Sequence, residues 1–183
     1  SPNDVCVHSN GTVFFTDPPY GIIPGKRVGG FPGNMQYGGC YVFKYDPKNK
    51  SIEAIVTDMD RPNGIALSRD ETHLMISNSG DTKYLRRYEI DKNLTLSNPI
   101  EFARQDPTNV FDGFRFDSED NLWTSCGNAV VCYNTAGEQI DVIEMPERVS
   151  NVEFGGVDGK TLFITATTSI YMTNLNFKGA KFT

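Results

Sequence analysis

The sequence has little that would suit a nucleic-acid or membrane protein. It carries no block of lysines and arginines, and its net charge is −6. Phosphate binding needs clustered cations, so no nucleic-acid partner is expected. No apolar run approaches the ~18 residues of a membrane-spanning helix, so no membrane partner is expected either. Histidine occurs only at positions 8 and 73, both in turn-like segments, which disfavours a transition-metal site built on imidazoles. The four cysteines (Cys6, Cys40, Cys126 and Cys132) include no CxxC pair. A zinc site is therefore not expected. They read as small buried hydrophobes, with a Cys126–Cys132 bridge as the alternative. No Gly-x-Ser-x-Gly elbow is present, which disfavours a serine nucleophile. No stretch has a convincing helical period. The sequons at Asn10, Asn49 and Asn93 are frequent by chance and do not argue for secretion. With 38% apolar and 22% charged residues, the chain reads as an ordinary soluble domain, with the cytoplasm slightly favoured.

What the sequence does contain is one phrase, four times over. It reads NDVCVHSNGTVFFTD from Asn3, NGIALSRDETHLMISNS from Asn63, DGFRFDSEDNLWTSCG from Asp112 and NVEFGGVDGKTLFITAT from Asn151. Each copy opens on Asn or Asp, runs through a short apolar strand and a polar turn, and continues into a second strand ending near Ser or Thr. Two further strand-like runs follow each of the first three copies, at 40–45 and 51–57, 84–90 and 100–103, and 130–134 and 140–145. Turn residues punctuate them, among them Asn10-Gly11, Pro47-Lys48-Asn49, Glu119-Asp120-Asn121 and Asp158-Gly159. Four antiparallel strands per repeat, arranged radially, are the pattern of a β-propeller blade. The expected fold is all-β, a single domain over 1–183 with about four propeller blades. The longest insertion, 18–39, is rich in Gly and Pro and reads as a long loop over the scaffold, with Tyr20 and Phe31 as candidate sugar-facing groups.

In a propeller the innermost strand of each blade lines a central channel. Asn3, Asn63, Asp112 and Asn151 then approach one another at one mouth. Amide and carboxylate oxygens are hard ligands that suit Ca²⁺ or Mg²⁺. Taken singly, each residue reads as a turn former, because Asn-Gly and Asp-Gly are turn dipeptides. Taken in register they read as a site. Three amides and one carboxylate give a divalent cation only one negative charge, so a further acidic ligand is expected outside these 183 residues.

The strings PNDV (2–5), FFTDPPYG (14–21), RPNGIALS (61–68), FDGFRFD (111–117), NLWTS (121–125) and ERVSNVEFGG (147–156) resemble the gluconolactonase family, the regucalcin-like or senescence-marker lactonases. The resemblance covers nearly the whole chain. It implies a six-bladed propeller with a divalent metal at the channel mouth, Ca²⁺ foremost, with Zn²⁺, Mg²⁺ or Mn²⁺ as alternatives. In the family a first-blade Glu, the Asn of a PNG-like motif and the Asp of the DG motif hold the metal. The last two correspond to Asn63 and Asp112, and the Glu has no counterpart here. Asn3 lies beside the metal and is a third candidate ligand. Asn3, Asp4 and Tyr20 are the candidate substrate-binding residues, and Asn151 is a weaker candidate. The N-terminal one and a half to two blades are expected to lie outside this sequence, truncated, cleaved or on a separate chain. The implied activity is metal-dependent hydrolysis of a sugar lactone such as glucono-1,5-lactone, with Asp112 as the catalytic base. The alternatives are a calcium-binding or structural propeller without catalysis, and a related esterase or phosphotriesterase.

Overall fold

Short apolar alternations separated by turn residues cannot bury both faces alone, so they pair into sheets that stack. The structure, a computed structural model, describes residues 1–23, 33–106 and 108–181. Phe31 lies outside the described residues. The first blade comprises β1 (Val5–Val7), β2 (Val13–Asp17), β3 (Tyr41–Asp46) and β4 (Ser51–Val56). The second comprises β5 (Pro62–Leu67), β6 (His73–Ser79), β7 (Lys83–Ile90) and β8 (Leu96–Arg104). The third comprises β9 (Phe111–Phe116), β10 (Leu122–Cys126), β11 (Ala129–Tyr133) and β12 (Gln139–Glu144). The fourth has β13 (Val149–Gly155), β14 (Thr161–Ala166) and β15 (Ile170–Asn174). Every sheet is antiparallel and runs in sequence order from its inner to its outer strand. The chain is thus all-β, with four blades arranged as a β-propeller.

The core lies between blades rather than within them. Phe14, Val42 and Val56 of the first blade meet Ile65, Leu74 and Ile76 of the second. Met75, Leu85 and Phe102 of the second meet Phe114, Leu122 and Val131 of the third. Trp123, Val130 and Cys132 of the third meet Val152, Leu162 and Ile164 of the fourth. Inner strand β5, enclosed on both faces, is buried at every position, whereas outer strand β12 is largely exposed. The two end blades keep exposed apolar side chains on their outward faces: Val5, Val7 and Ile52 on one, Ile170 and Met172 on the other.

At the end away from the strand starts, the hairpin turns interlock. Ser9 donates from its backbone N–H to Glu71 at 2.9 Å, and Arg69 donates from its own to Asp120 at 2.9 Å. Glu71 and Asp120 both hold the left-handed backbone, with φ 60° and 61°. Asp117, fully buried, closes its turn by accepting from the indole of Trp123 at 2.9 Å and from the Asn121 backbone N–H at 3.0 Å.

One boundary differs from the pattern. The outer strand of the second blade begins at Leu96, four residues before the 100–103 run suggests. The polar Ser97-Asn98-Pro99 stretch pairs as an edge, with Asn98 (φ 49°) in a bulge and its amide donating to Glu89 at 2.8 Å. An edge strand tolerates Pro99 because the outward N–H has no ladder partner to lose.

The cysteines are all free, so no Cys126–Cys132 bridge forms. Cys126 and Cys132 are buried, and burial pushes their thiols up to about 11 and about 12. An unfolded thiol titrates near 8.5, so the folded state keeps protons that the unfolded state releases. Their contribution to stability is complete below that unfolded value and is lost as pH rises toward the raised values. The urea midpoint should therefore fall between about pH 8.5 and pH 11, and a Cys126→Ala/Cys132→Val variant should show a shallower fall. A fall of equal depth in the variant would assign the alkaline loss to other groups.

Candidate functional site

The inner strands β1, β5, β9 and β13 lie side by side in that order, so their starts form an arc at one end. Asn3 precedes β1, Asn63 and Asp112 stand second in β5 and β9, and Asn151 stands third in β13. Between these strands runs a cavity of about 230 Å³ lined by Cys6, Ile65, Arg115, Glu153, Phe154 and Lys181. Arg115 and Glu153 pair inside it at 2.7 Å, and burial, with help from nearby Asp4, pushes the Cys6 thiol up to about 12.

The Asn63-Gly64 and Asp112-Gly113 steps are not turns but lie within strands. In the second blade Pro62 faces Asn78 and Ile65 faces Ile76, which leaves Asn63 and Gly64 together opposite Ser77. In the third, Phe111 faces Cys126 and Phe114 faces Thr124, which leaves Asp112 and Gly113 opposite Ser125. Both are β-bulges, which bend a strand and re-aim a side chain. The serine opposite each bulge replaces the lost ladder bond. Gly64 N–H donates to Ser77 Oγ at 2.7 Å, and Asp112 N–H donates to Ser125 Oγ at 3.2 Å.

Each of these hydroxyls then reaches across to the next blade. Ser77 donates to the Asp112 carbonyl at 3.2 Å and Ser125 to the Ser150 carbonyl at 3.4 Å. Thr16 does the same in the first blade, accepting from Asp4 N–H at 3.2 Å and donating to the Asn63 carbonyl at 2.5 Å. Thr16, Ser77 and Ser125 are all fully buried. Glycine is required beside them for room. A Cβ on Gly64 would stand 2.0 Å from the Asp112 carbonyl oxygen, and one on Gly113 would stand 2.0 Å from Asn151 Oδ1.

Among the expected site residues, the structure joins Asn3 and Asn63 directly: the Asn3 amide donates to Asn63 Oδ1. Asn63 is buried, and its Nδ2 donates to Ser79 Oγ at 3.0 Å. Asp4 turns its carboxylate to backbone, accepting from Val5 N–H at 2.9 Å and from Ile65 N–H of the next blade at 3.1 Å. That second bond ties blade one to blade two behind Asn3. Asp112 is half-buried on the neighbouring inner strand. Asn151 accepts from Val152 N–H at 2.8 Å and rests against Gly113, between blades. Tyr20 is half-buried in the 18–23 turn, where Ile22 and Ile23 donate to the Pro19 carbonyl.

Among the described residues no three His, Cys, Asp or Glu side chains cluster as a metal site. The donors at the mouth are amide oxygens with one carboxylate on the adjacent strand. That chemistry fits a hard, oxygen-preferring cation and not a thiolate- or imidazole-bound one.

Residues 1–168 match the family described as SMP-30/Gluconolactonase/LRE-like region. A gluconolactonase of Zymomonas mobilis subsp. mobilis is 33% identical over 182 residues, covering 93% of this chain and 49% of that protein. The pentonolactonase XacC of Haloferax volcanii is 26% identical over 168 residues, covering 89% of this chain and 52% of that protein. A solved gluconolactonase from Xanthomonas campestris superposes with a TM-score of 0.85 at 28% identity, covering 98% of this chain and 57% of that one. The chain thus spans about half the length of the curated relatives it matches.

Two substitutions test the inter-blade geometry. Thr16→Val keeps the shape but leaves the Asn63 carbonyl without its hydroxyl donor, and should cost about 1–3 kcal/mol. Gly64→Ala drives a methyl into backbone that cannot move aside cheaply, and should cost about 1–3 kcal/mol. Chemical denaturation reads both, and wild-type midpoints would show that neither contact carries stability.

Proposed function

The chain belongs to the SMP-30/gluconolactonase/LRE-like family, and from that membership we propose that it forms part of a lactonase opening a sugar lactone, such as glucono-1,5-lactone, to the aldonic acid. The observation that supports this best is the mouth of the channel. There the Asn63 amide oxygen is presented beside Asn3, with Asp112 on the adjacent bulged strand. Asn63, Asp112 and Asn3 would hold a divalent cation, with Ca²⁺ favoured by the all-oxygen donor set. When bound, such a cation supplies Lewis acidity to an ester carbonyl.

The residues of the chain do the rest. Asn3 and Asn63 orient lactone and water through their amides, with Asp4 and Tyr20 as further substrate-side groups. One Asp112 carboxylate oxygen takes a proton from the attacking water. Water oxygen bonds to the carbonyl carbon, the ring C–O bond breaks, and the proton passes on to the departing ring oxygen. The products are one carboxylic acid and one hydroxyl.

A single carboxylate is a weak charge balance for a divalent cation, so we propose that an acidic ligand comes from blades beyond residues 1–183. The exposed Val5 and Val7 on one end blade, and Ile170 and Met172 on the other, would face those blades.

Asp112→Ala in the protein that carries this chain should lower lactone hydrolysis at least about 100-fold, in line with loss of a positioned general base. Chelation should abolish turnover in the wild type. Hydrolysis unchanged in the variant would remove Asp112 from the mechanism. An ion that raises the melting temperature without supporting turnover on any lactone would mark a structural site instead.

A further inference from the structure

We infer that Ser79 is the residue that sets which way the Asn63 side-chain amide faces, and so makes its oxygen, rather than its nitrogen, the group presented at the channel mouth. The inference rests on the reading of Asn63 as a cation ligand and names the residue that makes it one.

The polarity of the contacts decides the orientation. Ser79 Oγ lies 2.5 Å from the Phe111 backbone carbonyl and 3.0 Å from Asn63 Nδ2. A carbonyl oxygen can only accept, and a serine hydroxyl has one proton to give. Ser79 therefore donates to Phe111, and what it offers Asn63 is a lone pair. Only the NH₂ end of the amide can meet a lone pair, so the oxygen must point the other way, toward Asn3. The assignment follows from chemistry and not from the placement of two similar atoms in the amide. Ser79 is buried at 7% exposure and Asn63 at 3%, so water does not compete freely for these bonds. A flipped amide would set Oδ1 against the Ser79 oxygen with no proton between them.

The geometry also couples blades. Asn63 and Ser79 belong to the second blade, while Phe111 immediately precedes Asp112 on the third. The bond that orients one candidate ligand thus holds the backbone next to the other. Both hydrogen bonds of the Ser79 hydroxyl go to Asn63 and the Phe111 backbone, so its part is positioning.

The test uses the wild-type protein, Ser79→Ala and Ser79→Thr, with Ca²⁺ alone as the probe. Side-chain amide exchange by NMR supplies a readout that needs no metal. The Asn63 NH₂ resonances, assigned through their loss in Asn63→Asp, should exchange much more slowly than those of exposed Asn10 in the wild type and in Ser79→Thr. In Ser79→Ala they should lose that protection, and Ca²⁺ affinity by calorimetry should fall about 10- to 100-fold, the range for partners that orient metal ligands. Restoration of both by Thr separates the hydroxyl from mere packing. Ca²⁺ affinity unchanged in Ser79→Ala would overturn the inference. So would rapid exchange of the Asn63 amide in the wild type, which holds even if Ser79→Ala does not fold. A wild-type protein with a protected amide and no affinity for Ca²⁺ would instead refute the cation reading of the mouth, and with it the positioning role.

Discussion

A buried hydroxyl on the second strand of each of the first three blades accepts a hydrogen bond from the inner-strand backbone of its own blade and donates one to that of the next. Thr16, Ser77 and Ser125 each do this, and each lies at the level of the channel mouth. Propeller blades otherwise meet through apolar side chains, which are non-directional and allow one sheet to slide on another. The hydroxyls supply direction. They fix the height of each inner strand against its neighbour to within a hydrogen bond. The proposed site, drawn from three separate blades, needs that constraint, because its members lie far apart in sequence.

The same constraint explains the glycines and the bulges. A hydroxyl can reach a carbonyl on the next blade only where the two inner strands come close. Closeness at Gly64 and Gly113 leaves no space for a Cβ. The bulge turns the preceding Asn63 or Asp112 aside and frees a backbone N–H for the serine. Side-chain aim, inter-blade spacing and hydrogen-bond satisfaction are thus one arrangement, repeated in two successive blades. The first blade varies it: Asp4 and Thr16 fasten its inner strand while Asn3 lies outside the strand. The fourth departs further, with Asn151 lodged between blades against Gly113.

The proposed lactone hydrolysis would suit such a frame. The reaction needs a polarised carbonyl, a water held in line and a base, all within a few ångströms. The arc of strand starts would hold the proposed groups at fixed positions on paired backbone. The interlocked turns at the opposite end tie neighbouring blades together as well.

Much of this was legible in the sequence. Period-two apolar runs and regular turn residues set the strands, and repetition set the blades, because a two-strand unit with one apolar face must stack to bury it. The shared phase of the four opening residues was enough to set the inner strands side by side with their starts at one end, though Asn151 lodges between blades. Even the hydroxyls left a trace, since every copy of the phrase runs its second strand toward Ser or Thr. What their oxygens do was not legible. Asn63-Gly64 and Asp112-Gly113 read as turns in a linear string. Only pairing against Ser77 and Ser125 makes them bulges, and only the neighbouring blade explains why glycine follows. Ser79 closes the second copy of the phrase, but its contact was not legible, because it depends on a carbonyl 32 residues away. The sequence by itself determined the strands, their repetition and the oxygen-rich chemistry of the mouth, since those depend on local pattern and residue type. The tertiary structure alone decided which amide and hydroxyl groups pair across the blades, since hydrogen-bond polarity is settled by partners that meet only when the blades close on one another.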